Sequence, residues 1–121
     1  MDKRIYAIRG AIDAQNTKDS ILLAVKKLTT ELYTKNNIIE SDIISIQFTM
    51  TKDLTELNPA AALRQAGYGK STALFCSVEP EITNSLTSII RVLVTTYLDK
   101  KPIHCYLGST RELRPDFLPN Q

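Results

Sequence analysis

The apolar positions between residues 17 and 37 repeat with the period of an α-helix. They are spaced by four, three and four residues and form one stripe, made of Ile21, Val25, Leu28 and Leu32. Thr17 is a suitable N-cap, and Asp19 lies in the first turn, where a carboxylate is favourable. The pattern predicts a long amphipathic helix that runs to about Lys35 and ends at Asn36-Asn37.

A second, shorter helix is predicted from its boundary residues. Asn58-Pro59 combines a good N-cap with a proline at the first helical position, where the missing N–H costs nothing. Gly67 suits the position just past a helix end. We therefore expect a helix over Pro59 to Gln65.

Alternation of apolar and polar residues predicts the strands. Ile44, Ile46, Phe48 and Met50 alternate with polar residues, which is the period-two pattern of a half-buried strand. Runs rich in apolar and β-branched residues predict four more strands, at Arg4 to Ala11, Thr72 to Glu79, Ile89 to Tyr97 and Ile103 to Leu107.

This order of elements, βαβα followed by strands, predicts an α+β or α/β layer with both helices on one face of a sheet. The 121 residues are near the usual size of one domain, so we expect a single domain over residues 1–121. A single layer leaves its other sheet face bare. Burying that face against copies of the same chain is the natural solution, so we expect a homo-oligomer.

Composition excludes several classes of function. The chain has 15 Lys and Arg, 13 Asp and Glu, two cysteines and one histidine. A net charge of +2 is too small to favour nucleic acid or an anionic membrane, and no apolar run approaches the roughly 20 residues of a spanning helix. The Cys and His content supports neither a metal site nor a disulfide framework. We expect no metal, cofactor, nucleic acid or membrane partner, and a cytoplasmic location.

Arg91 is the most informative single residue, because it lies in the middle of the apolar run Ile89 to Val94. Burying that charge alone would cost several kcal/mol, so it requires a partner or solvent. One interpretation is a structural ion pair with Glu79 or Glu81, or a solvent-facing strand position. The other is a pocket cation, because a guanidinium matches a carboxylate ligand in bidentate geometry.

Glu79, Tyr106 and Arg9 also lie in or at the ends of predicted strands. Glu79 is either a surface charge at a strand end or an acceptor for a substrate hydroxyl beside Arg91. The Tyr106 phenol points away from the side of Cys105 and is either packing or a carboxylate ligand. His104 is interpreted as structural.

Together these residues predict a cationic pocket for a small dianion that lacks a general base, a metal set and a phosphate loop. Such a pocket fits either a binding protein or an enzyme that acts by positioning and electrostatics.

Several short motifs, in order, resemble the monofunctional Bacillus-type (AroH-class) chorismate mutases. Arg91 follows Glu79 by twelve residues and Tyr106 follows Arg91 by fifteen. The resemblance covers nearly the whole chain, and its motifs are Ile8-Arg9-Gly10-Ala11, Asp53-Leu54, Pro59-Ala60 with Arg64, Cys76-Ser77-Val78-Glu79, Ile90-Arg91-Val92-Leu93, His104-Cys105-Tyr106-Leu107 and Leu113-Arg114-Pro115-Asp116.

The resemblance implies an α+β fold with a mixed sheet and a ferredoxin-like core, assembled into a homotrimeric pseudo-α/β-barrel with active sites at the subunit interfaces. It also implies conversion of chorismate to prephenate on the route to phenylalanine and tyrosine. The catalytic positions would be Arg9, Glu79, Arg91 and Tyr106. The residues lining the pocket would be Ala60, Arg64, Phe75, Cys76, Ser77, Val78, Leu113 and Arg114, the last in a mobile tail segment that closes over the site.

The chain departs from the family pattern near the site. Asn58 stands where the family usually has Phe, Val78 replaces the usual Gln, and Pro80-Glu81 replaces Met-Asp. All the charged positions are kept. The kept charges favour the same reaction type, whereas the changes at Asn58 and Val78 leave open an alternative function: a non-catalytic, trimeric ligand-binding or regulatory relative on the same scaffold.

Overall fold

The computed structural model describes residues 2–114 of the chain. The described residues form five strands and two α-helices, with two short 3₁₀ helices at Glu40–Asp42 and Gly108–Glu112. In chain order the main elements are β1 (Arg4–Asp13), α1 (Lys18–Asn36), β2 (Ile43–Met50), α2 (Pro59–Gln65), β3 (Ala73–Val78), β4 (Ile89–Leu98) and β5 (Cys105–Tyr106).

Both helices begin where the sequence predicts. The Thr17 hydroxyl accepts the Ser20 N–H and caps α1, which ends at Asn37 in the left-handed conformation, with φ 49°. The Asn58 side chain accepts the Ala60 N–H at 2.8 Å and caps α2. The predicted bounds of the two helices are confirmed, because local capping chemistry determines them.

The sheet is mixed and has the order β3-β2-β4-β1-β5. Strand β4 lies at its centre and pairs antiparallel with β1 and β2, while β3 and β5 add in parallel to β2 and β1. The predicted α+β class and mixed sheet are confirmed. The central position of β4 brings Arg91 level with Thr49 of β2 and Ala11 of β1.

The core lies between the helices and one face of the sheet. Its largest fully buried side chains include Phe48 of β2, Leu28 and Leu32 of α1, and Leu63 of α2. Gly10 of β1 allows α1 and β5 to pack closely against β1, since a Cβ there would meet a side-chain methyl of Leu32 and the Cys105 carbonyl, each at 3.1 Å. The sheet face towards α1 and α2 is called here the helix-covered face.

The opposite face carries no helix within the described residues. We call it the open face and define it by Ile5, Ala7 and Arg9 of β1, Gln47 and Thr49 of β2, Phe75 of β3, and Arg91, Leu93 and Tyr97 of β4. Large apolar side chains on it are exposed, with Phe75 at 68% and Ile5 at 55%. The expected bare face is therefore present in the isolated chain.

The fifth strand is shorter than the predicted Ile103 to Leu107. It covers only Cys105–Tyr106, so that Ile103, His104 and Leu107 lie outside it. Before the strand, the Asn36 side chain binds both backbone groups of Ile103, accepting its N–H at 2.6 Å and donating to its carbonyl at 2.9 Å. Strand pairing with β1 begins only at Cys105. No helix within residues 2–114 is both long and apolar enough to cross a membrane.

Candidate active site

A pocket of about 380 Å³ opens on the open face of the sheet. Four of the strands contribute through side chains that alternate away from the core, and β3 contributes through Glu79, the residue that follows it. The lining residues are Arg9, Gly10, Gln47, Thr49, Glu79, Arg91, Val92, Leu93 and Tyr106. The four residues to which the sequence gives catalytic roles therefore come together in one pocket.

The Arg91–Glu79 ion pair is the centre of this pocket. Nε of Arg91 lies 3.1 Å from Oε1 of Glu79, and the Glu79 side chain is only 18% exposed. Backbone pairing holds the carboxylate there, because the Glu79 N–H donates to the Met50 carbonyl at 2.8 Å and extends the β2–β3 ladder by one residue. The Thr49 hydroxyl, opposite Arg91 in the sheet, also donates to Oε1 of Glu79.

The structure decides between the two carboxylates that the sequence offered to Arg91. Glu81 pairs instead with Lys52, Oε1 to Nζ 2.6 Å, in the exposed loop beyond β3. Arg91 remains 41% exposed beside Glu79. It is therefore both a member of an ion pair and a cation facing the pocket.

Arg9 and Tyr106 close the other side of the pocket. Tyr106 is 6% exposed and lies beside Ala11 in the parallel β1–β5 pair, while its neighbour Cys105 faces the core. Burial raises the pKa of the Cys105 thiol, which fits a packing role. The expected orientation of the Tyr106 phenol, away from Cys105, is observed.

The start of β4 is fixed by a polar cluster near the pocket. The Thr51 hydroxyl accepts the Ile89 N–H at 3.0 Å, and the Asp53 carboxylate accepts from the hydroxyl and N–H of Ser88. Burial opposes ionisation of Asp53, but hydrogen bonds from Thr51 and Ser88 outweigh it and lower the Asp53 pKa. This cluster fixes the residues that lead into Arg91.

The other residues assigned to the pocket by resemblance lie elsewhere in the isolated chain. Cys76, Ser77 and Val78 line a second pocket of about 380 Å³ beside Asn58, whose amide donates to the Cys76 sulfur at 3.1 Å. The rest do not line the Arg91 pocket: Ala60 is buried and Arg64 exposed on α2, Phe75 lies exposed on β3, and Leu113 and Arg114 follow the second 3₁₀ helix. The tail beyond Arg114 lies outside the described residues.

Gln47, Thr49 and Leu93 line the pocket but were not predicted as site residues. For Gln47 and Thr49 the signal was present in the alternation of β2, whose polar positions were interpreted only as the outward side of a half-buried strand. Knowing that β2 pairs with β4 would have placed Thr49 opposite Arg91.

The pocket is suited to a small dianion. Its described lining holds two arginines, one glutamate and one phenol, and it contains no histidine or cysteine. Within residues 2–114, no cluster of His, Cys, Asp and Glu could hold a metal ion. The two guanidinium groups and the phenol can stabilise negative charge and orient a bound anion.

Comparisons with known proteins agree with this geometry. Residues 5–117 match the family model described as chorismate mutase type I. The chain is 30% identical to chorismate mutase AroH of Bacillus subtilis over 116 residues, covering 93% of this chain and 91% of that one. It is 33% identical to chorismate mutase AroH of Thermus thermophilus over 117 residues, covering 93% and 95%.

A solved structure of chorismate mutase from Clostridium thermocellum is also similar. It superposes with a TM-score of 0.84 at 42% identity, covering 88% of this chain and 98% of that one. The family match spans most of the chain and includes all four residues of the Arg91 pocket with predicted catalytic roles. The chain therefore belongs to the type I chorismate mutase family.

Proposed function

We propose that this chain catalyses the rearrangement of chorismate to prephenate, with the Arg91 pocket as its active site. The observation that carries the proposal is the Arg91–Glu79 pair in a pocket whose described lining has two arginines against one carboxylate. The family match supports the same reaction.

The reaction is a unimolecular [3,3] rearrangement. The ether C–O bond breaks while a new C–C bond forms, and no proton is transferred, so the reaction requires no general base. Negative charge develops on the ether oxygen because C–O cleavage runs ahead of C–C bonding. Arg91 would stabilise that charge, and preorganised donors of this kind are worth about 3–4 kcal/mol each.

The other pocket residues would hold the substrate in its compact, reactive conformer. Arg9 and Tyr106 would bind carboxylates, and Glu79 would accept the ring hydroxyl. Freezing the reactive conformer removes part of the entropic barrier. Glu79 also balances part of the positive charge of the pocket.

We further propose that the chain is one domain that assembles as a homotrimer, with the pocket completed by a neighbouring subunit. Exposed Ile5, Phe75 and Tyr97 on the open face support burial against a copy of the chain. The residues that lie away from the Arg91 pocket would then be supplied to a neighbour's pocket. This concerns Ala60, Arg64, Phe75, Cys76, Ser77, Val78, Leu113 and Arg114.

A non-catalytic, trimeric ligand-binding relative is the second candidate. The observation that favours it is Asn58, whose amide binds the Cys76 sulfur where the family usually has an aromatic side chain. A cytoplasmic location and the lack of nucleic-acid and membrane partners stay predictions.

The test is a conversion assay on the purified chain. Chorismate is followed by the loss of its ultraviolet absorbance, prephenate is identified by mass spectrometry, and molar mass is measured by light scattering. We expect enzyme-dependent formation of prephenate and a mass of three chains of 13.6 kDa. Binding of chorismate without conversion would support the non-catalytic candidate, and a monomeric mass would contradict the trimer.

A further inference from the structure

The imidazole of His104 is bonded to the backbone of a pocket residue. Its Nδ1 accepts the Arg9 N–H at 2.9 Å, across 95 positions of sequence. An acceptor Nδ1 carries no proton, so the hydrogen of the neutral ring is on Nε2. The side chain that the sequence suggested to be merely structural therefore contacts β1 at the residue that carries a pocket guanidinium.

The Arg9 N–H is bonded by a side chain rather than by a residue paired in the sheet. Pairing of β1 with β5 includes only Gly10 with Cys105 and Ala11 with Tyr106, so Arg9 lies one residue before the pairing begins. The backbone of Ile103 does not extend it, and its N–H and carbonyl are instead bonded to Asn36. The His104 ring thus takes the place of the strand carbonyl that would otherwise accept the Arg9 N–H.

We infer that His104 is a positioning residue, which fixes the backbone of Arg9 and thereby the origin of the guanidinium in the pocket. This inference rests on the proposed function. Displacing a substrate-binding group by about 1 Å can cost up to about a hundredfold in rate. Because Arg9 would bind a carboxylate in both the ground state and the transition state, losing its alignment should mainly raise KM.

The first test measures the hydrogen bond without reference to turnover. Amide hydrogen exchange of Arg9 is compared between the parent chain and His104→Ala, His104→Asn and His104→Gln. Asn can place its oxygen near the position of Nδ1, whereas the longer Gln side chain cannot. We expect exchange at Arg9 to accelerate about tenfold or more in the Ala and Gln variants and to stay slow in the Asn variant. Equal exchange in all four proteins would overturn the inference.

The second test measures KM and kcat for chorismate in the same four proteins. We expect KM to rise about tenfold in His104→Ala and His104→Gln, with kcat changed less than about threefold, and His104→Asn to stay within about threefold of the parent. Tyr33→Phe, which removes the hydrogen bond to Glu40 on the helix-covered side, is the stability control. It should lower the unfolding midpoint without changing KM.

The outcomes separate the two proposals. A parent that converts chorismate together with an unchanged KM in His104→Ala would overturn the role of His104 and leave the proposed function standing. Equal loss in all three variants, Asn included, would also overturn it, because the acceptor atom would then be irrelevant. A parent without turnover would overturn the proposed function and the effect of His104 on turnover with it, while the exchange experiment would still decide whether His104 holds Arg9.

Discussion

The two faces of β4 differ in what they demand of their side chains. On the helix-covered face, Ile90, Val94 and Thr96 are at most 2% exposed and pack against the rest of the core. On the open face of the same strand, Arg91 is 41% exposed at the side chain and pairs with a carboxylate. A charge is tolerated in the central strand because the face it points to is not closed by the chain itself. The helix-covered face of β4 carries the core, and its open face carries the proposed active site.

The difference between the two faces is tested most strongly by replacing two phenylalanines that lie on adjacent strands. Phe48 of β2 is 1% exposed on the helix-covered face, and Phe75 of β3 is 68% exposed on the open face. We expect Phe48→Ala to lower the free energy of unfolding by about 3–5 kcal/mol, because it leaves a cavity. Urea denaturation measures it.

Phe75→Ala is the matched control for that substitution. In dilute, dissociated protein it should change the free energy of unfolding by less than about 0.5 kcal/mol, with a larger loss at concentrations where the proposed trimer forms. Equal losses for the two variants in dissociated protein would contradict the distinction between the faces.

Replacing Gly10 tests the close packing of the helix-covered face, because it adds a side-chain carbon where there is little space. An added Cβ would lie 3.0 Å from a methyl of Val92 and 3.1 Å from the Cys105 carbonyl, and the latter is backbone and yields little. We expect Gly10→Ala to lower the free energy of unfolding by about 1–3 kcal/mol. The control is Ala7→Ser on the exposed side of the same strand, which should be nearly neutral. A neutral Gly10→Ala would show that α1 and β5 are not held as closely as described.

Replacing Thr49 tests how the open face holds the Glu79 carboxylate. Thr49→Val keeps the shape and β-branching but removes the hydroxyl that donates to the Glu79 carboxylate. Without that donor the Glu79 carboxylate is held less firmly beside Arg91, so kcat/KM for chorismate should fall about tenfold or more. A hydrogen bond to a charged group is worth about 1.5–3 kcal/mol, which is the upper bound for the loss in the free energy of unfolding. Thr49→Ser keeps the donor and should retain most of the activity. Unchanged kcat/KM in Thr49→Val would show that Glu79 needs no such support.

The sequence predicted best what is determined locally. The caps at Thr17 and Asn58 and the stripe of α1 depend on neighbouring residues, and the structure confirms them. The sheet order depends on contacts far apart along the chain, so the sequence alone could not place Thr49 opposite Arg91. The bonding of Asn36 to Ile103 before β5 was hidden for the same reason, since it spans 67 positions.

The candidate site was predicted in part. Arg9, Glu79, Arg91 and Tyr106 were recognised because charges and a phenol in apolar strands need an explanation, and the motif spacing linked them. The position of Gln47 in the pocket lining and the hydrogen bond between His104 and Arg9 were missed, because a polar residue on an alternating strand and an isolated histidine carry no signal until their neighbours are known. Ala60 and Arg64 of α2, and Leu113 and Arg114, were assigned to the pocket by the resemblance alone. In the isolated chain they lie away from the Arg91 pocket, and their proposed place is the pocket of a neighbouring chain.

The most direct test of the central claim is the turnover of Arg91→Ala compared with the parent chain at matched fold. Arg91 lies on the open face, so its removal should leave the circular dichroism spectrum and the unfolding midpoint nearly unchanged. We expect kcat/KM for chorismate to fall by about a thousandfold, or about 4 kcal/mol of transition-state stabilisation. Turnover by Arg91→Ala near the parent level would contradict the assignment of this pocket as the active site.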